Sequence, residues 1–115
     1  MPAQAVNTTV GIGATVANIF AGSRIRLIPN IPGAQFQVTY LSTGAAAGMT
    51  EEVFVGAANP VESSPVSQIN RFPQSPEDVV STFGANPGEE ITVRVVNPTA
   101  GALVHTGKLV VTRTR

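Results

Sequence analysis

The stretch Ala34-Gln35-Phe36-Gln37-Val38-Thr39-Tyr40-Leu41 decides the fold class. Phe36, Val38 and Tyr40 take alternate positions, with Gln35, Gln37 and Thr39 between them. Successive side chains of a strand point to opposite faces, so this is the pattern of a half-buried antiparallel strand, apolar toward a core and polar toward water. The same period of two returns at 90–96, where Ile91, Val93 and Val95 lie opposite Thr92 and Arg94, and at 108–114, where Leu109 and Val111 lie opposite Val110, Thr112 and Thr114. Shorter runs at 5–10, 14–20, 24–28, 51–55 and 65–70, each bounded by Gly, Pro, Asn or Ser, bring the expectation to about eight short strands.

Between these runs the chain carries turn chemistry. Ala21-Gly22-Ser23, Pro29-Asn30-Ile31-Pro32-Gly33, Ala85-Asn86-Pro87-Gly88 and Asn97-Pro98-Thr99-Ala100-Gly101 combine residues that preset φ with residues that tolerate positive φ. Their spacing is that of a sandwich or barrel. One segment departs from the pattern. Ser75-Pro76-Glu77-Asp78 offers an N-cap hydroxyl, a proline at the first helical position and two carboxylates at the positive end of a helix dipole. With Gly84 as a stop, the spacing predicts a short helix over 76–83 whose Val79, Val80 and Phe83 close one end of the core. The expected fold is therefore mainly β: an antiparallel β-sandwich or jelly-roll-like domain with one short helix.

The whole chain, 115 residues, is one domain's worth. Its 16 Val, seven Ile, five Phe and four Leu, with no Trp, suit a thin core of small and β-branched side chains. Charged residues are only 12%, against roughly 25% in an ordinary globular chain. Seven basic and seven acidic side chains cancel, so no net field draws the molecule to nucleic acid or to an anionic membrane, and neither is expected as a partner. No apolar run approaches the length of a spanning helix. Met1-Pro2-Ala3-Gln4-Ala5 has neither the basic nor the apolar region of a secretory signal, so none is expected. With no cysteine, disulfide and thiolate chemistry are excluded.

The inventory argues against catalysis. The one histidine, His105, falls within Gly101–Gly107, read as a connection between strands, where a surface or hydrogen-bonded imidazole is expected. Glu51-Glu52 and Glu89-Glu90 could in principle supply acid and base to a glycosidase, yet neighbours on a strand point to opposite faces, so neither pair acts as a unit. Solvated strand starts are the expectation for both. Asp78 is the sole aspartate, at the expected helix start, and no metal or cofactor is implied. Gly11-Ile12-Gly13-Ala14-Thr15-Val16 is half of a dinucleotide fingerprint without its third glycine, and Asn7-Thr8-Thr9 is a bare glycosylation triplet; chance accounts for both.

Charge distribution says more. Residues 51–90 hold every acidic side chain and a single basic one, Arg71, while the rest of the chain is basic only. If 24–28 is a strand, Arg24 and Arg26 share a face, as do Arg113 and Arg115 on theirs, and with Arg94 and Lys108 they could form a basic patch. Such a patch pairs with the acidic middle of its own chain, meets that of a neighbouring copy, or binds phosphate, though no aromatic platform interleaves the arginines as single-strand binding would want. The stretch before Arg24 has no charge at all. Exposed edge strands usually carry charge against accidental pairing, so this segment is either a strand of its own sheet or an arm, about residues 1–12, that pairs with a neighbour through contacts such as Val6 and Val10.

A small, cysteine-free, charge-poor β chain, with segments such as Glu90-Ile91-Thr92-Val93-Arg94-Val95-Val96-Asn97-Pro98, resembles the small decoration, or cement, proteins of tailed phage heads. The resemblance lies in size, composition and strand pattern over the whole chain. It implies a non-enzymatic structural protein of the virion, located on the capsid surface, that forms a dimer or trimer, contacts the major capsid protein and stabilises the shell. The same composition also suits a self-assembling coat or fibre subunit, or a small carbohydrate- or ligand-binding sandwich. For a sugar, Tyr40 alone makes a poor stacking platform.

Overall fold

The alternating stretch lies at the middle of a sheet. The structure, a computed structural model, describes residues 3–11, 13–44, 48–66, 68, 73, 77–99 and 101–115. Its strands are β1 (Ala3–Val10), β2 (Thr15–Val16), β3 (Phe36–Gly44), β4 (Thr50–Val55), β5 (Ala58–Pro65), β6 (Val79–Ala85), β7 (Ile91–Val96) and β8 (Leu103–Arg113). Two antiparallel four-stranded sheets result, in the orders β1-β8-β3-β6 and β2-β7-β4-β5. The antiparallel β-sandwich expected from the sequence is thus the architecture.

The inner rows follow from strand parity. Phe36, Val38 and Tyr40 of β3 and Leu109 and Val111 of β8 are buried, and so are Val53 and Val55 of β4 and Ile91, Val93 and Val95 of β7. Together with Val10, Ile19, Phe20 and Met49 they form one core cluster. Full burial of each such aliphatic side chain contributes about 1.5–3 kcal/mol. β4 and β5 are joined by the two-residue turn Gly56-Ala57; φ is 56° at Gly56, and no non-glycine residue among those described has positive φ. A positive φ at the first central residue alone is the demand of a type II′ hairpin, which glycine meets without strain.

Several expected elements are replaced by others. The helix over 76–83 is not formed: Glu77 and Asp78 make a turn and Val79–Ala85 is strand β6, while Ser75 and Pro76 lie outside the described residues. The capping signals there are local, whereas Val79, Thr82 and Phe83 are β-branched or aromatic and gain partners in β3, with Val38 opposite Phe83 and Thr39 opposite Thr82. Residues 24–28 are not a strand either. Arg24–Arg26 is a 3-10 helix, capped by the Ser23 hydroxyl, which accepts from the Ile25 amide at 3.3 Å, and only Leu27 makes a bridge, to Glu90.

Of the run 14–20 only Thr15–Val16 is strand; past it the Ile19 amide still donates to the Val93 carbonyl at 3.0 Å, and Asn18 serves the edge of β7 through its side chain. Its amide donates to the Ile91 carbonyl at 3.3 Å and its oxygen accepts from the Val93 amide at 3.2 Å. Past Pro65, the expected strand 65–70 is reduced to a single described bridge, Gln68 to Gly44; residues 67, 69 and 70 lie outside the described set. In its place β5 runs from Ala58 to Pro65. The amino-terminal segment is a strand of its own sheet, paired in unbroken register with β8 from Ala3–Val110 to Val10–Leu103.

Candidate functional site

Four polar side chains meet between the sheets. Glu51 falls on the inner row of β4 with Val53 and Val55, and its carboxylate reaches across to the other sheet. There Tyr40 and Ser42 continue the inner row of β3, and His105 belongs to the row of β8 that runs from Leu103 on through Gly107 and Leu109. The Tyr40 hydroxyl donates to Glu51 Oε1 at 2.6 Å, the Ser42 hydroxyl to Oε2 at 2.7 Å, and His105 Nε2 lies 3.1 Å from Oε1. All four residues are at most 1% exposed.

Protons follow from the acceptor. An ionised carboxylate only accepts, so His105 must carry a proton on Nε2 to bond it. Tyr40 Oη is then only a distant neighbour of that nitrogen, at 3.4 Å. The other ring nitrogen, Nδ1, is buried with no hydrogen-bond partner among the described residues. Burial pushes the Tyr40 phenol well above its ordinary value of 10.0, and the Glu51 charge and hydrogen bond push it the same way. Tyr40 is thus held as the neutral donor.

Room for the cluster depends on Gly107. A Cβ there would lie 2.6 Å from Ile19 Cδ1 and 3.4 Å from both Phe20 Cζ and His105 Cε1. The glycine lets the buried Phe20 ring and the imidazole pack directly against the backbone of β8.

These findings correct two expectations. His105 lies inside β8, not in a connection, and Glu51 is a core residue, not a solvated strand start. Tyr40, the chain's one tyrosine, is wholly buried and offers no face to a sugar ring. Chemically the cluster is a brace. Serine and histidine both bond to the carboxylate, whereas a nucleophile relay needs serine on the imidazole and the imidazole on the carboxylate. Among the described residues no group of three or more His, Cys, Asp or Glu side chains comes together that could hold a metal.

The residues singled out for a basic patch do not converge. Arg94, between the buried Val93 and Val95, points from the outer face of the second sheet, where it bonds Glu52 and lies 5.7 Å from the Phe54 ring centroid. Lys108, next to the buried Leu109, points from the outer face of the first sheet, on the other side of the sandwich. Arg26 bonds Glu90 at 3.1 Å and the Ser23 carbonyl at 2.7 Å. Arg24 is exposed on the 3-10 helix, and Arg113, at the end of β8, bonds the carbonyl of the exposed Arg115 at 3.0 Å. Arg26 and Arg94 therefore pair with the acidic middle of their own chain. Val10 is wholly buried in its own core and Val6 is half-buried against it.

What the surface does offer is neutral. On the outer face of the first sheet, Val110, Thr39 and Thr82 form one cross-strand row and Thr112, Gln37 and Gly84 the next, with the Thr39 and Thr82 hydroxyls 3.5 Å apart. Val104, 41% exposed, lies farther along β8, and Lys108 is the one charge described on this face. Comparison with protein families, with curated proteins and with solved structures finds no match for the chain.

Proposed function

We propose that this chain is a non-enzymatic structural subunit that binds the outer surface of a phage capsid and stabilises the shell. The observation that supports the reading best is the outer face of the first sheet, a stretch of Thr, Gln and Val side chains on three paired strands with one lysine. Such a face contacts a neighbour with little desolvation of charge. Its contacts are individually weak and gain strength by repetition over a symmetric lattice. A subunit that binds only the assembled shell stabilises it by mass action. The capsid as partner rests on the resemblance in size, composition and strand pattern.

The test uses particles of the virus that encodes the chain, prepared with and without it. Copies that sediment with the particles in fixed stoichiometry, and a higher temperature of shell rupture when they are present, are expected. Thr39→Glu with Thr112→Glu should abolish binding while the chain stays folded. Particles that neither retain the chain nor gain heat resistance refute the reading, and shells formed by the chain alone make it a coat subunit instead.

A further inference from the structure

We infer that β1 is a homodimerisation edge: two copies pair β1 against β1, antiparallel about a two-fold axis, and join their first sheets into one of eight strands. A two-sheet sandwich has four edges, here β1 and β6 of the first sheet and β2 and β5 of the second. Open edges template pairing unless they are short, bulged, charged or interrupted by proline. β2 has two residues. β5 carries Pro60, Pro65 and Glu62, and its register against β4 slips twice. β6 is broken by a bulge where Tyr40 opposes Ser81 and Leu41 opposes Val79, leaving Val80 extra.

β1 has none of these devices. Its eight residues, Ala-Gln-Ala-Val-Asn-Thr-Thr-Val, include no charge and no proline, and its register against β8 is unbroken. β1 is thus the one edge among the described strands with none of these devices, and a second copy that pairs edge to edge is placed on the same edge. That makes the contact isologous and closed, not a head-to-tail fibre. Neutrality along the whole strand is also what a two-fold axis asks for, since any charge near the axis would face its own copy. A strand shaped for a charged foreign partner would carry the complementary sign. Val6 and Thr8, half-buried on the inner row, would be covered further by the added strand.

This inference rests on the edge alone and is tested on the purified chain without any capsid. Sedimentation equilibrium over a concentration series should give twice the 11.9 kDa chain mass, with little dependence on salt. Asn7→Lys, which sets like charges near the axis, should raise the dissociation constant by up to about fivefold, with an unchanged circular dichroism spectrum. The chain has no cysteine, so single-cysteine variants at Ala5, Val6, Asn7, Thr8 and Thr9 read the pairing directly even if Asn7→Lys fails to fold. Oxidation should link one position strongly and its neighbours progressively less, and Thr82→Cys, on the opposite edge, should not link. A monomer at every concentration overturns the inference, as does a dimer that cross-links through position 82 or through no position on β1.

Discussion

Replacing Glu51 by leucine removes the one acceptor shared by three buried donors, the hydroxyls of Tyr40 and Ser42 and the His105 N–H. Each donor left unpaired costs about 1–3 kcal/mol, and leucine recovers part of the total by relieving the desolvation of a buried charge. The net loss expected is about 3–5 kcal/mol, the lower part of what three orphaned donors cost together. Against a domain stability of about 5–15 kcal/mol, that leaves the variant marginal. Urea unfolding followed by far-ultraviolet circular dichroism measures it. The companion variant Tyr40→Phe, Ser42→Ala, Glu51→Leu and His105→Leu removes acceptor and donors together and should regain most of the loss, because no orphan remains. A Glu51→Leu chain within about 1 kcal/mol of the parent would falsify the brace.

Two further outcomes are expected. Unfolded, Tyr40 ionises near its ordinary value of 10.0, whereas the fold holds it protonated well above that. Above pH 10 the folded state therefore binds more protons, and stability falls by up to about 1.4 kcal/mol per pH unit; this contribution is complete below pH 10 and is lost as pH rises through the folded value. Near-ultraviolet absorbance reads this residue alone, since the chain has one tyrosine and no tryptophan. Tyrosinate should appear only with unfolding, so ionisation of the folded chain near pH 10 counts against the buried donor. Gly107→Ala forces Ile19 Cδ1 from its place and should cost about 1–3 kcal/mol in thermal or urea unfolding; a neutral substitution would mean that Ile19 has room to move.

The parts of the fold that could be read from sequence are those where burial and local pattern agree. Phe36–Tyr40 of β3 and the whole of β7 alternate because one face is core and the other more open, and both are legible as such, whereas Leu41 and Thr43 farther along β3 are buried on the opposite parity. β6 was not, because its beginning carries helix-capping chemistry and only long-range pairing with β3 overrules it. β5 was missed for a related reason: seven of its residues are Ala, Asn, Pro, Glu or Ser, with Val61 the lone β-branched one, and an edge strand with two slips keeps no period. Residues 24–28 alternate Arg with Ile and Leu, which suits a strand, but the Ser23 cap and the bond from Arg26 to the Ser23 carbonyl close a tight turn instead.

The brace is legible in the sequence in one respect. Strand parity separates Glu51 from Glu52, and the same parity requires one of them to face inward; Val53 and Val55 make it Glu51. His105 shares a row with Leu109 and Val111, yet Gly107 between them reads as a turn residue until the close approach of Ile19 and Phe20 gives it another cause. Which donors meet the carboxylate could not be read, because that depends on how the two sheets stack. The placement matters for the proposed role. Slipping β4 by one residue against β7 would turn Val53 and Val55 outward and bring Glu52 and Phe54 in. It would also strand three buried donors without the Glu51 carboxylate, a penalty that a purely aliphatic core would not impose. A thin core of Val and Ile tolerates repacking, so the polar contact is the element that fixes how one sheet sits on the other. A subunit that repeats the same face and the same edge at every lattice position needs that fixed geometry more than it needs added stability.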